Sequence, residues 1–307
     1  MKQNSTRRHF IKTAALAGVA FATTPFEFKE YTPLLSFSTL GCPDWTFETI
    51  LNFAVSNGYN GVELSAMQKQ MDLPKCAEFN TKENAVAARK LIEEKNLRIV
   101  DLCSFAAMHY ADPAERKKNL DEAKSFIQLA QQLNCPYIRV FPNNFPKEQE
   151  RNVTIDLIVK GLLELGDCAK DYGVTVLMET HGDLVQSAEI EKIMQLATHP
   201  NVGLLWDVVN MWSVTKESPA RVYSRLKKYI HHTQLKDLKF VDGKEQYVFL
   251  GKGDAPIFEA IDVLAKNGYK GYYSFEWEKL WHPEIAAPEL AFADYTKTMK
   301  TKFVPAY

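Results

Sequence analysis

The chain has 307 residues, with 46% hydrophobic and 24% charged side chains, which is ordinary globular usage and excludes a disordered, collagen-like or disulfide-scaffold protein. Lys+Arg is 37 against Asp+Glu 38, a formal net charge of -1. The first 25 residues hold Lys2, Arg7, Arg8 and Lys12 and no acid, so the remainder is net acidic, which argues against nucleic acid as the partner.

Taken in chain order, Ser5-Thr-Arg-Arg-His-Phe-Ile-Lys12 resembles a twin-arginine export signal, and an Ala-rich apolar run from Ile11 to Thr24 follows it. Residues 1–30 are therefore expected to be a signal peptide and linker, with residues 31–307 exported to the periplasm. No later run is long and apolar enough to span a bilayer, so no membrane span is expected in the mature protein. The five cysteines (Cys42, Cys76, Cys103, Cys135, Cys168) are odd in number and lack CxxC spacing, so neither a disulfide framework nor a zinc knuckle is expected.

One pattern then repeats. Residues 34–40 read as a strand and Phe47 to Asn57 as a helix stopped at Gly58. Strands are expected at 61–65, 98–103, 137–141, 174–179, 202–207, 230–235 and 271–276. Helices are expected at 82–95, 112–133, 154–172, 187–197, from about 218, at 257–267 and at 288–302. A polar excursion at 239–250 suggests a hairpin around Asp242-Gly243. Eight apolar strands alternating with helices imply a single α/β domain, a closed (β/α)8 TIM barrel. The rival doubly wound open sheet usually carries a Gly-rich phosphate loop after its first strand. Here Thr39-Leu-Gly-Cys-Pro-Asp44 stands at that position.

Barrel enzymes place their chemistry at the C-terminal ends of strands. Reading those ends gives Glu63, Arg139, Glu179-Thr-His181, Asp207-Val-Val-Asn210, His232-Thr-Gln234-Leu-Lys236-Asp237 and Glu276-Trp-Glu278. Carboxylates on strands five, six and eight would converge at the mouth and repel one another, and a divalent cation is the simplest way to hold them together. Each has a bland alternative. Asp207 or Asp237 could cap the next helix, and Glu276 or Glu278 could pair with a rim lysine. Of His231 and His232 only one can point inward. His199, before Pro200, reads as a turn residue. Trp45, Trp206 and Trp277 could wall a sugar ring or simply pack.

These segments, together with Phe53-Ala-Val-Ser-Asn-Gly-Tyr-Asn-Gly-Val-Glu63 and Gly271-Tyr-Tyr-Ser-Phe-Glu276, resemble the xylose isomerase-like barrel superfamily of sugar phosphate isomerases and epimerases. The resemblance implies one metal ion held by Glu179, Asp207, the strand-seven position Gln234, and Glu276. Two positions depart from the family pattern: Asn210 and Gln234 stand where histidines are common. The hydroxypyruvate isomerase branch resembles this chain in using Gln as a ligand. An oxygen-only set favours Mg²⁺ or Mn²⁺ over Zn²⁺.

The implied activity is isomerisation or epimerisation of a small carbohydrate by proton abstraction next to a carbonyl, with Glu179 and Glu276 as the catalytic pair. His181, Asn210, His232, Lys236, Arg139 and Trp45 would contact substrate. Export shifts the expectation toward free or keto sugars. The alternative is a 3-keto-glycoside lyase or hydrolase using the same first step. A non-catalytic sugar-binding barrel and an apurinic endonuclease are weaker readings, the latter because its zinc cluster needs histidines at the substituted positions. Whether the barrel forms a homo-oligomer is left open by the sequence.

Overall fold

The computed structural model describes residues 31–303, so the expected signal segment lies outside the described residues. Eight parallel strands close on themselves: β1 (Leu34–Ser38), β2 (Gly61–Leu64), β3 (Arg98–Ala107), β4 (Tyr137–Phe141), β5 (Thr175–Glu179), β6 (Val202–Asp207), β7 (Ile230–Leu235) and β10 (Tyr272–Phe275). β10 pairs with both β7 and β1, which completes the ring and rules out an open sheet. Between β7 and β10 the expected hairpin forms from β8 (Asp237–Val241) and β9 (Lys244–Val248), turning at Asp242 and Gly243, both at positive φ. Among the described residues no helix is long and apolar enough to cross a membrane.

The helices are α1 (Phe47–Asn57), α2 (Lys82–Glu94), α3 (Pro113–Leu133), α4 (Arg151–Lys170), α5 (Ser187–Leu196), α6 (Val208–Thr215), α7 (Pro219–Leu226), α8 (Ile257–Lys266) and α9 (Pro288–Phe303). Their limits follow local chemistry. Thr46 caps α1 by accepting from the Thr49 amide, and Gly58 ends it at φ +72, a conformation that suits a residue without Cβ. Asp112 caps α3 ahead of Pro113, whose missing N–H is harmless there.

Period-two alternation divides each strand between two environments. Phe37 and Phe275 face outward, where they meet Phe292 and Tyr295 of α9; the Phe37–Phe292 centroids are 4.3 Å apart. Removing a ring from this fully buried layer costs about 3–5 kcal/mol. The alternate residues turn into the barrel, and many are polar: Ser36, Ser38, Glu63, Asp101, Arg139, His232, Gln234 and Ser274 are all buried.

Two differences from the sequence expectation have local causes. β3 runs on to Ala107, past a register shift between Cys103 and Ala107. α6 follows β6 with no loop, because Asp207 Oδ1 accepts from the amides of Val209 and Asn210 and starts the helix at once.

Candidate active site

The C-terminal mouth of the barrel holds a cavity of about 170 Å³. Its polar wall is Arg139, Glu179, His181, Asn210, Lys236, Glu276 and Glu278. Its apolar wall includes Phe105, Phe141 and Trp281, with Tyr247 reaching in from the hairpin. A larger cavity of about 460 Å³ sits at the opposite end, among strand starts such as Arg98, Pro136 and Tyr272, and has no carboxylate in its lining. Volume alone therefore does not locate the chemistry.

Each mouth carboxylate has a basic partner, Arg139 on β4 or Lys236 directly after β7. Arg139 Nη1 donates to Glu179 Oε2 at 2.6 Å, and its guanidinium lies 3.9 Å from the centroid of the Phe141 ring. Asn210 Nδ2 donates to the other Glu179 oxygen at 3.3 Å. The Lys236 ammonium meets Asp207 Oδ2 at 2.7 Å, Glu276 Oε2 at 2.7 Å and Glu278 Oε1 at 2.6 Å. Four carboxylates thus face two cations, leaving a formal excess of two negative charges.

Burial dominates the titration of this cluster. It pushes the Glu179 carboxyl up to about 7, with Arg139 opposing and Asp207 reinforcing. It raises Glu276 well above the usual carboxylate range, although Lys236 opposes it. Burial also lowers His181 to about 4, helped by the charges of Arg139 and Lys236, so its imidazole is neutral near pH 7. Against a burial that pulls its pKa down, Asp207, Glu276 and Glu278 keep Lys236 protonated.

A second polar layer lies deeper in the lumen. Glu63 Oε2 is 2.8 Å from His232 Nε2, and Gln234 Nε2 donates to Glu63 Oε1 at 2.8 Å. Asp101 stands beside them with Oδ1 unpartnered. Among the described residues, Glu63, Asp101 and His232 form the one cluster of three acidic or histidine donors lying within 4.8 Å of one another. Glu179, Asp207 and Glu276 are not drawn together that tightly.

Gln234 Oε1 is buried with no hydrogen-bond partner, while its nitrogen is committed to Glu63. With Glu179, Asp207 and Glu276 it makes an oxygen-only set. Such a set fits a hard divalent cation.

Several expected residues fall elsewhere. His232 sits in the deeper layer on Glu63, away from the cavity lining. Trp45 packs on Phe53 and Phe292 and does not line the cavity; Trp206 and Trp277 are core residues. The tryptophan at the mouth is Trp281, half-exposed, in the segment after β10. The bland readings also hold in part. Asp207 is both a helix cap and a mouth carboxylate. Asp237 accepts from the Gly251 and Gly253 amides and is structural. His199 accepts from the Asn201 amide in a turn. Sequence reasoning passed over Asp101, which reads as an ordinary strand residue, and Tyr247, whose hairpin gives no sign of where it folds.

Residues 51–295 match the model of the xylose isomerase-like TIM barrel family. An inosose isomerase from Halalkalibacterium halodurans is 23% identical over 81% of this chain and 87% of its own length. A 3-dehydroshikimate dehydratase from Bacillus anthracis is 23% identical over 70% of this chain and 78% of its own. Among solved structures, an IOLI protein with a bound zinc atom superposes with a TM-score of 0.72 at 18% identity, covering 89% of this chain and 98% of that one. The chain belongs to the xylose isomerase-like TIM barrel family.

Proposed function

We propose that this barrel is a divalent-metal-dependent isomerase or epimerase of a free or keto sugar, acting by proton abstraction from the carbon next to a carbonyl. One observation carries the reading. Glu179 and Glu276, from strands three places apart in the ring, both line a buried cavity about the size of one sugar ring, each set against a basic side chain. The isomerase and dehydratase relatives support the reaction class, because both chemistries begin by removing such a proton.

In this scheme Glu179 takes the proton, and Arg139 and Asn210 fix the carboxylate's orientation through its two oxygens. Glu276 returns a proton from the other side. Neutral His181, held at Nδ1 by Asn143 Oδ1 at 3.1 Å, directs its other ring nitrogen to a sugar hydroxyl. The Lys236 ammonium offsets charge developing on the substrate oxygen. A divalent ion held by Glu179, Asp207, Gln234 and Glu276 would supply Lewis acidity toward the carbonyl. Mg²⁺ or Mn²⁺ suits these oxygen donors better than Zn²⁺.

A second reading has a specific motive in the dehydratase relative. After the same abstraction, loss of a group one carbon further on would make the enzyme a lyase, for example toward a 3-keto-glycoside. Product analysis separates the two. Free ketoses and 3-keto-glycosides are incubated with the enzyme in D₂O and followed by NMR. An isomerase or epimerase returns a deuterated sugar of the same composition, and a lyase releases the leaving group. A panel showing neither deuterium uptake nor release would refute both.

A further inference from the structure

The oxygen inventory of Asp207 has a consequence for how the site takes up a metal. Oδ1 is committed to the Val209 and Asn210 amides that start α6. Only Oδ2 is left to coordinate an ion; it accepts no hydrogen bond and lies 2.7 Å from the Lys236 ammonium. The same ammonium holds Glu276 Oε2 at 2.7 Å. The ammonium donates hydrogen bonds to Glu276 and Glu278, while Asp207 Oδ2 is in ion-pair contact with it but accepts no hydrogen bond. Two of these three carboxylates, Asp207 and Glu276, belong to the proposed ligand set. The third, Glu278, does not, and it is backed by a hydrogen bond with Tyr247.

We propose that Lys236 is the resident cation of the metal-free protein, and that a divalent ion binds in competition with its ammonium, which shifts onto Glu278. Two cations cannot both take Asp207 Oδ2 at close range without strong repulsion. Buried carboxylates stripped of any cation are strongly destabilising, so the protein needs one or the other. Lysine suits such an exchange. Its charge sits on a flexible four-carbon stem, so the head can move while the backbone stays in register. The inference rests on the ligand set proposed above and concerns what sets its affinity.

The test is calorimetric titration of Mn²⁺ into the full chain, stripped beforehand with chelator, alongside thermal melts without metal. Lys236→Met keeps the length and removes the charge. It should bind Mn²⁺ about tenfold more tightly or better, since the internal competitor is gone. Its metal-free melting temperature should fall by several degrees and recover on adding Mn²⁺. Glu278→Gln removes the site to which the ammonium withdraws, and Mn²⁺ should bind about threefold or more weakly. In the double variant the affinity should return to that of Lys236→Met, because without the ammonium Glu278 has no part in the exchange.

Equal or weaker binding by Lys236→Met overturns the proposal. So does an undiminished effect of Glu278→Gln in the Lys236→Met background, which would make Glu278 itself a ligand. Should Lys236→Met not fold, unaltered or tighter Mn²⁺ binding by Glu278→Gln alone overturns it. Absence of Mn²⁺ binding by the wild type and every variant removes the ligand set itself, an outcome distinct from wild-type binding that Lys236→Met fails to improve.

Discussion

The mouth and the deeper layer of the barrel solve the same problem, buried carboxylates, in opposite ways. In the deeper layer Glu63 is met by short, stiff partners. Against the cost of burial, hydrogen bonds from His232, Gln234 and Ser38 hold its carboxyl down at about 2. In the mouth the partners are Arg139 and Lys236, long side chains with mobile heads; there Glu179 and Glu276 sit above their ordinary range, while Lys236 and Tyr247 hold Glu278 below it. Both layers are buried and both are polar, so burial and polarity alone do not mark a catalytic site. What separates them is that Glu179 and Glu276 line the mouth cavity with raised carboxyls, while Glu63 is held as an anion and is not part of that lining.

That contrast can be broken by three substitutions, in falling order of effect. Glu276→Gln in the mouth should lower kcat by about 10²–10⁴-fold, the usual contribution of a positioned acid or base. Circular dichroism should show a fold close to wild type. Activity within tenfold of wild type would take Glu276 out of the reaction.

Glu63→Gln in the deeper layer should do the reverse. Removing one partner of a buried pair costs about 3 kcal/mol, read as a shift in the urea midpoint, while turnover per folded molecule stays within a few-fold. The sign with pH follows from a lowered folded pKa. Glu63 stabilises fully above its unfolded value near 4.5, and the contribution is lost as pH falls toward 2. The gap between wild type and variant should therefore close in acid.

Asp101→Asn should have the smallest effect and the opposite sign. Burial pushes Asp101 up to about 7, so the folded state resists ionising it. Wild-type stability is then lost as pH rises from its unfolded value near 3.8 toward 7. The Asn variant should be more stable than wild type at pH 8 and equal to it below pH 4, the gap opening as pH rises toward 7. A variant less stable at pH 8 would mean that Asp101 has a partner worth more than the burial it suffers.

Much of the barrel is legible in the sequence because its signals are local. Strand limits at Tyr137–Phe141 and Val202–Asp207, and the helix stop at Gly58, follow from apolar runs and from a residue free to take positive φ. α6 is not legible. Its sequence Val-Val-Asn-Met-Trp looks extended, and only the Asp207 side chain folding back on two amides makes it helical. The candidate site divides the same way. Strand ends bring Glu179, Asp207 and Glu276 into the list, whereas the Lys236 contacts depend on register between β6, β7 and β10, where Asp207 and Ser274 both align with Gln234. No local pattern encodes that register. Trp281, in the segment after β10, lines the mouth cavity and Trp45 does not.

The most direct test of the account is solvent deuterium exchange into the carbon next to the carbonyl. It is measured by NMR with the best substrate from the sugar panel, for wild type, Glu179→Gln and Glu63→Gln. The account predicts rapid exchange by wild type, a loss of about 10²–10⁴-fold in Glu179→Gln, and near-wild-type exchange per folded molecule in Glu63→Gln. Undiminished exchange in Glu179→Gln, or an equal loss in both variants, would contradict the claim that the mouth and not the deeper layer does the chemistry.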